Sequence, residues 1–393
     1  MSRTWPRSQF EKVDVLHWCL FHDSDEFRAQ VLRQQEELRR QNEKGTGLTF
    51  PLEVIVHLFE IMLLRGQLTP KFLRLSKLFY LIVAPMLYRQ PHLRGDNFLS
   101  FVDTINGNKT IGEYIHHLDL SNVNQSGKNA YVAKLLKRSR PSLRSFTAPQ
   151  TSFGLAPLIS LRSCKTLERL DLRLVSETLN LEELFLAIRQ LENLTHLSFP
   201  RSSIEINDYS NVKWPPKLEY LRVSGGISDD FLIHSEFPPT IAHMEFAHCP
   251  KVKHLGFEHL IEKFGYNLKT LKIQFPMPGL MSNSLDTIFI YCPSLLVLEL
   301  SVDYISADIF NVNLLPMYEN RPLRALYIDS SGMLGTTDKL DPIDLALALD
   351  DGRLPNVRNI RCTAKLGWNP DSDVVSYIAE ELEERGGGLY IGY

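Results

Sequence analysis

The sequence predicts an α/β architecture: a helical segment near the N-terminus, followed by a curved solenoid. The solenoid would carry parallel strands on its concave face and helices or loops on its convex face. Three observations lead there. Leucine is in excess, at 62 of 393 residues. A single apolar pattern recurs beyond position 115. Residues 48–93 are densely apolar at helical spacing and lack that pattern.

The bulk properties bound the function. With 43 Lys+Arg against 46 Asp+Glu the formal net charge is −3, which argues against a polyanion as the main ligand. The longest apolar stretch, Leu78 to Tyr88, falls short of a membrane span, and no apolar core follows Met1 as it would in a secretory signal. Cys19, Cys164, Cys249, Cys292 and Cys362 are scattered without CxxC spacing, which reads as reduced thiols in a cytoplasmic or nuclear protein. The expectation is no membrane and no nucleic acid among the partners.

In chain order, residues 1–47 form an N-terminal extension. Asp23-Ser24-Asp25-Glu26 has the form of a capping box opening a helix over 24–43, with a thin apolar stripe of Phe27, Val31 and Leu38. Residues 48–93 come next. Thr49 and Pro51 suit a helix start, and Leu52, Ile55, Phe59 and Met62 share a stripe widened by Val56, Leu58 and Leu63. After the Arg65-Gly66-Gln67 turn come Phe72, Leu73 and Leu75, then the run Leu81–Tyr88. So short a segment cannot bury this much apolar surface on itself, so a partner must cover the remainder. Residues 94–114 form a linker, in which Phe98, Phe101, Val102 and Ile105 are spaced for a helix sealing the first end of the solenoid.

Residues 115–393 carry the repeat: an apolar residue, two variable ones, an apolar residue, one variable one, and a third apolar residue. It runs from Ile115-Leu118-Leu120 through Leu221, Leu271 and Leu298 at the middle position to Val357-Ile360-Cys362, ten copies in all. Spacings lie between 23 and 28 until a last one of 34, which places an insertion between Ile328 and Val357. Each copy reads as a short strand that cannot bury its apolar side alone, so stacked neighbours build one continuous core. Lys128–Ser139, Leu181–Leu191, Gly256–Phe264 and Ser284–Tyr291 have helical spacing for the returns. The shorter units, rich in Pro and Gly (Trp214-Pro215-Pro216, Gly225-Gly226, Pro238-Pro239), read as loops. Residues 374–393 would cap the array, with a helix Val374–Arg385 and a strand Leu389-Tyr390-Ile391.

This period and its L-x-x-L-x-L core resemble the leucine-rich repeat. Phe50-Pro51-Leu52-Glu53, Leu58-Phe59, Leu73-Arg74-Leu75-Ser76-Lys77, Phe79-Tyr80 and Ala84-Pro85-Met86-Leu87-Tyr88 resemble the fungal F-box, with Phe50 in place of the usual Leu. Together they are similar to fungal F-box/leucine-rich-repeat proteins, the substrate receptors of SCF-type ubiquitin ligases. The resemblance implies docking on a Skp-family adaptor through Pro51, Leu52, Ile55, Leu58, Leu63, Leu73 and Leu75, and through it a cullin–RING ligase core. It also implies that a target protein binds the concave face for ubiquitination and proteasomal degradation. Variable slots on that face give Arg169, Asp171, Tyr220, Arg222, His243, Glu245, Lys272, Glu299, Tyr327 and Arg361 as target-binding candidates. Alternatives are an F-box scaffold outside ubiquitination and, less favoured, a leucine-rich-repeat activator of a small GTPase.

Signs of catalysis are weak. No nucleophile elbow, phosphate loop or HExxH is present. His243, His248, Cys249, His254 and His259 match no zinc spacing, and acidic pairs such as Asp171 with Glu245 read as a mixed surface. The expectation is a non-catalytic receptor without cofactor or metal. The scattered arginines of the variable slots argue mildly against a phosphorylated target.

Overall fold

The computed structural model describes residues 51–392 apart from 124–126, 128, 207, 210, 211 and 335–338. The expected helix over 24–43 and the Thr49 cap lie outside the described residues. The chain divides into two compact units between Tyr88 and Arg89, and each has its own logic.

The first unit is helical. Helix α1 (Leu52–Leu64) follows Pro51, whose carbonyl accepts from Val54 and Ile55 N–H at 3.1 and 3.3 Å. Gly66, at φ +67°, takes the left-handed position that ends this helix, letting Gln67 N–H reach Met62 O at 2.8 Å. A 3-10 turn, Pro70–Arg74, precedes helix α2 (Lys77–Arg89), capped where Ser76 Oγ accepts from Phe79 N–H at 3.0 Å. Phe59 sits at the centre of the core among Val56, Leu68, Ile82, Val83 and Met86. It meets Phe79 and Phe72 edge to face, with ring centroids 4.9 and 5.7 Å apart.

The second unit is the solenoid. Helix α3 (Phe98–Gly107) buries Phe98, Val102 and Ile105, the residues whose spacing predicts it, and α4 (Lys109–Gly112) follows. Then come the strands β1 (His117–Asp119), β2 (Ser145–Thr147), β3 (Arg169–Asp171), β4 (Leu179–Asn180), β5 (His196–Ser198), β6 (Ser203–Ile204) and β7 (Tyr220–Val223). They continue as β8 (His243–Ala247), β9 (Thr270–Gln274), β10 (Val297–Ser301), β11 (Ala325–Asp329), β12 (Asn359–Thr363) and β13 (Gly388–Gly392). All but β4 and β6, which pair with each other, form one 11-stranded sheet in chain order, and every pairing in it is parallel. The middle apolar residue of each of the ten copies, from Leu118 to Ile360, is no more than 1% exposed. A parallel ladder fixes this register, because a slip of one residue would turn every such side chain to the other face.

Hydroxyls stitch one repeat to the next where strands begin: Thr166 Oγ1 donates to Leu143 O at 2.8 Å, and Thr195 Oγ1 to Glu168 O at 3.0 Å. Arginines do the same late in the array. Arg321 Nη1 donates to Phe289 O at 3.2 Å, Arg353 Nη1 to Phe310 O, and Arg385 Nη1 to Leu354 O at 2.7 Å.

The returns follow the apolar spacing with two corrections. Helices α5 (Asn129–Ser139), α6 (Leu155–Leu161), α7 (Leu181–Ile188), α8 (Asp229–His234), α9 (His254–Phe264), α10 (Ile288–Tyr291), α11 (Pro342–Asp350) and α12 (Asp373–Glu384) line that side. Two of the short units expected to return by loops contain α6 and α8 instead. Local start signals explain both: Pro157 lies in the first turn of α6, where its missing N–H costs nothing, and Ser228 Oγ caps α8 by accepting from Phe231 N–H at 3.4 Å. The stretch Ser284–Tyr291 is helical only over its last four residues. The 34-residue unit accommodates α11, started by Asp341 and Pro342, and β13 follows α12 as the expected final strand.

Candidate binding surfaces

Helix α1 is apolar on two sides. Leu52, Ile55, Val56, Phe59 and Met62 face the core. Val54, Leu58 and Ile61 recur at i, i+4 and i+7 on the opposite side and are 48%, 52% and 38% exposed. Leu63, Leu64 and Leu75 are exposed as well. Of the adaptor-facing candidates, Pro51, Leu58, Leu63 and Leu75 are therefore on the surface. Leu52, Ile55 and Leu73 are half-buried and pack on the core. Sequence reasoning missed Val54, Ile61 and Leu64; a second helical period, offset by half a turn, is the signal that carries them.

The sheet face of the second unit is polar and partly closed by its own pairs. The ladder aligns Arg169, His196, Tyr220, His243 and Thr270 in one row, and Asp171, Ser198, Arg222, Glu245, Lys272 and Glu299 in the next but one. Tyr327 and Arg361 continue the second row. Glu245, only 8% exposed, accepts from Tyr220 OH at 2.7 Å and from Arg222 Nε at 2.8 Å. His196 stacks on Tyr220 at 5.6 Å, and its Nδ1 lies 2.8 Å from Thr195 Oγ1. Burial pushes the His196 imidazole down to about 3, helped by the neighbouring Arg169 and His243. Burial also raises the Tyr220 hydroxyl, as does the Glu245 carboxylate beside it. His243 Nδ1 is 2.9 Å from Thr270 Oγ1, Lys272 Nζ is 3.9 Å from Glu299, and Arg173 Nε is 3.0 Å from Asp171.

These contacts bring Tyr220, Arg222 and Glu245 together and leave Arg361 exposed two strands beyond the Lys272–Glu299 pair. Both Glu245 oxygens are engaged, so neither Asp171 nor Glu299 forms an acid–base pair with it. Among the described residues no group of three or more His, Cys, Asp and Glu could hold a metal ion, and no helix is long and apolar enough to cross a membrane. Trp368, 7% exposed, donates from Nε1 to Leu340 O at 2.8 Å, and Trp214 packs against Phe185 at 4.9 Å. Both are packing residues.

No family model matches the chain. It is 46% identical over 326 residues to the F-box protein YDR306C of Saccharomyces cerevisiae, covering 82% of this chain and 68% of that one. It is 32% identical over 348 residues to Protein pof5 of Schizosaccharomyces pombe, covering 87% and 99%. A Listeria monocytogenes internalin crystal structure aligns with 71% of this chain and 91% of its own at 13% identity, with a TM-score of 0.33, too low to carry an argument. Identity at this level over most of the chain, joined to a helical unit and a parallel repeat sheet, makes the chain a member of the fungal F-box proteins, in the form that carries leucine-rich repeats.

Proposed function

We propose that this chain is the substrate-recognition subunit of an SCF-type ubiquitin ligase. The observation that carries the reading is the outward apolar row Val54, Leu58 and Ile61, on a helix whose other side already fills a core. An exposed row of that kind marks an interaction surface, and a Skp-family adaptor is the partner an F-box implies. The polar sheet face would hold a target protein, with the cullin–RING core reached through the adaptor. The chain itself would make and break no covalent bond. It would raise the effective concentration of target lysines near the charged conjugating enzyme. Four free, buried thiols support a cytoplasmic or nuclear setting.

Co-expression with a Skp adaptor tests this. The expected result is a one-to-one complex on gel filtration that Leu58→Asp dissolves. A chain that is monodisperse alone and ignores the adaptor would sink the reading. If the adaptor binds but no partner accumulates when the chain is depleted, the F-box serves a scaffold outside ubiquitination.

A further inference from the structure

Between β1 and β10 three cations on the sheet face or at the start of its strands are paired with carboxylates. Arg144 Nη1 lies 3.7 Å from Glu168, Arg222 is bonded to Glu245, and Lys272 faces Glu299. The last turns break this pattern. Arg324 and Arg358 immediately precede β11 and β12, and both are exposed. Their backbones repeat the geometry of Arg144 and Glu168. Glu168 and Arg169 N–H both donate to Arg144 O, at 2.7 and 2.9 Å; Arg358 and Asn359 N–H both donate to Arg324 O, at 3.0 and 3.1 Å. Arg358 thus stands to Arg324 as Glu168 stands to Arg144, in a row whose side chains reach one another across neighbouring strands. Where the earlier pair carries opposite charges, this one places two like charges in corresponding positions. Arg361, three residues along β12, is a third exposed arginine, flanked in register by Tyr327 and Tyr390. None of the three has a side-chain hydrogen bond or a carboxylate within ion-pair distance among the described residues. The positions beside them are small: Gly387 follows Arg358 in its row, and Ala325 and Gly388 flank Asn359.

We propose that Arg324, Arg358 and Arg361 form a docking site for an extended acidic segment of a partner protein. A carboxylate seated between Arg324 and Arg358 turns their repulsion into two charge-assisted hydrogen bonds. In an extended chain the side chain two residues on lies about 6.7 Å away on the same side, which brings a second carboxylate toward Arg361. The site is a local cationic spot on a chain of net charge −3, a pattern suited to a peptide rather than a long nucleic acid. It had no signature in the sequence, because Arg324 and Arg358 are 34 residues apart and lie just outside the variable slots. This inference rests on the sheet face being the recognition surface, but its readout is peptide binding, so it can fail while adaptor binding stands, or the reverse.

The test uses the full chain with its adaptor and a labelled ten-residue peptide alternating glutamate and serine. Lysine-for-glutamate and phosphoserine-for-serine versions and a single-stranded RNA are compared in parallel. The glutamate peptide is expected to bind, with affinity falling as salt rises. Arg358→Glu and Arg324→Glu are each expected to weaken it about tenfold or more, while Lys137→Glu, the same charge change at an exposed position of α5, leaves it unaltered. As a fold-independent check, Arg358→Ser relieves the repulsion and is expected to raise Tm by about 1 °C while weakening the peptide. Equal losses in all three charge-reversal variants, or tenfold preference for the RNA or the phosphoserine peptide, would overturn the proposal.

Discussion

In the helical unit it is apolar side chains that stay in the open, while in the repeat unit polar ones are drawn in and paired. Leu64 is 70% exposed on α1, whereas Leu298, at the middle apolar position of its repeat on β10, is wholly buried. Conversely, Glu245 lies on a strand face and yet has both its oxygens occupied. The two regions use one amino-acid alphabet for opposite purposes. The repeats complete themselves by stacking, because each strand finds its neighbour in the same chain. The short unit has enough apolar surface for two interfaces and, among the described residues of its own core, fills one of them.

The largest effect that would sharpen this contrast is in the stacked core. Leu298→Ala is expected to lower unfolding free energy by about 2–5 kcal/mol in urea titration, through lost burial and the cavity left behind. Leu58→Asp is next: stability within about 0.5 kcal/mol of the parent, but adaptor affinity down roughly a hundredfold by calorimetry. A collapse of stability in that variant would mean that the outer row is part of the fold rather than an interface. Glu245→Ala strands the Tyr220 hydroxyl and the Arg222 guanidinium, so a loss of about 1–3 kcal/mol is expected by the same urea titration.

The smallest effect is on pH dependence. The folded-state value of His196, about 3, lies below its ordinary 6.5, so the unfolded chain binds the extra proton first. Stability from keeping this ring neutral is complete above pH 6.5 and is lost progressively as pH falls toward 3. His196→Gln should therefore show a smaller drop in urea midpoint between neutral and mildly acidic pH than the parent. An unchanged drop would mean that His196 is not the group responsible.

The repeats were the most legible part of the chain. A period carrying Leu170, Leu197 and Leu221 names both the strands and the face they bury, and parallel register then sets the rows Arg169–His196–Tyr220 and Asp171–Ser198–Arg222 without further information. Three things were not legible. Helix α1 mixes two apolar stripes, so the core row containing Phe59 hides the outer row containing Ile61, and only packing tells them apart. The helices in short units depend on single start signals, Pro157 for α6 and the Ser228 cap for α8, which a Pro- and Gly-rich background masks. Pairings across strands, such as Tyr220 with Glu245, arise from residues 25 apart and become visible only once the register is known.

The thiols of Cys164, Cys249, Cys292 and Cys362 are at most 2% exposed, and burial pushes each up to about 12. In the native state they are therefore silent toward alkylating reagents, and each becomes reactive only when its own stretch of the array opens. Spread from the second return to the tenth strand position, they act as four clocks along one molecule. Mass spectrometry of timed alkylation would read the order in which the solenoid frays, and whether a bound partner slows one end before the other.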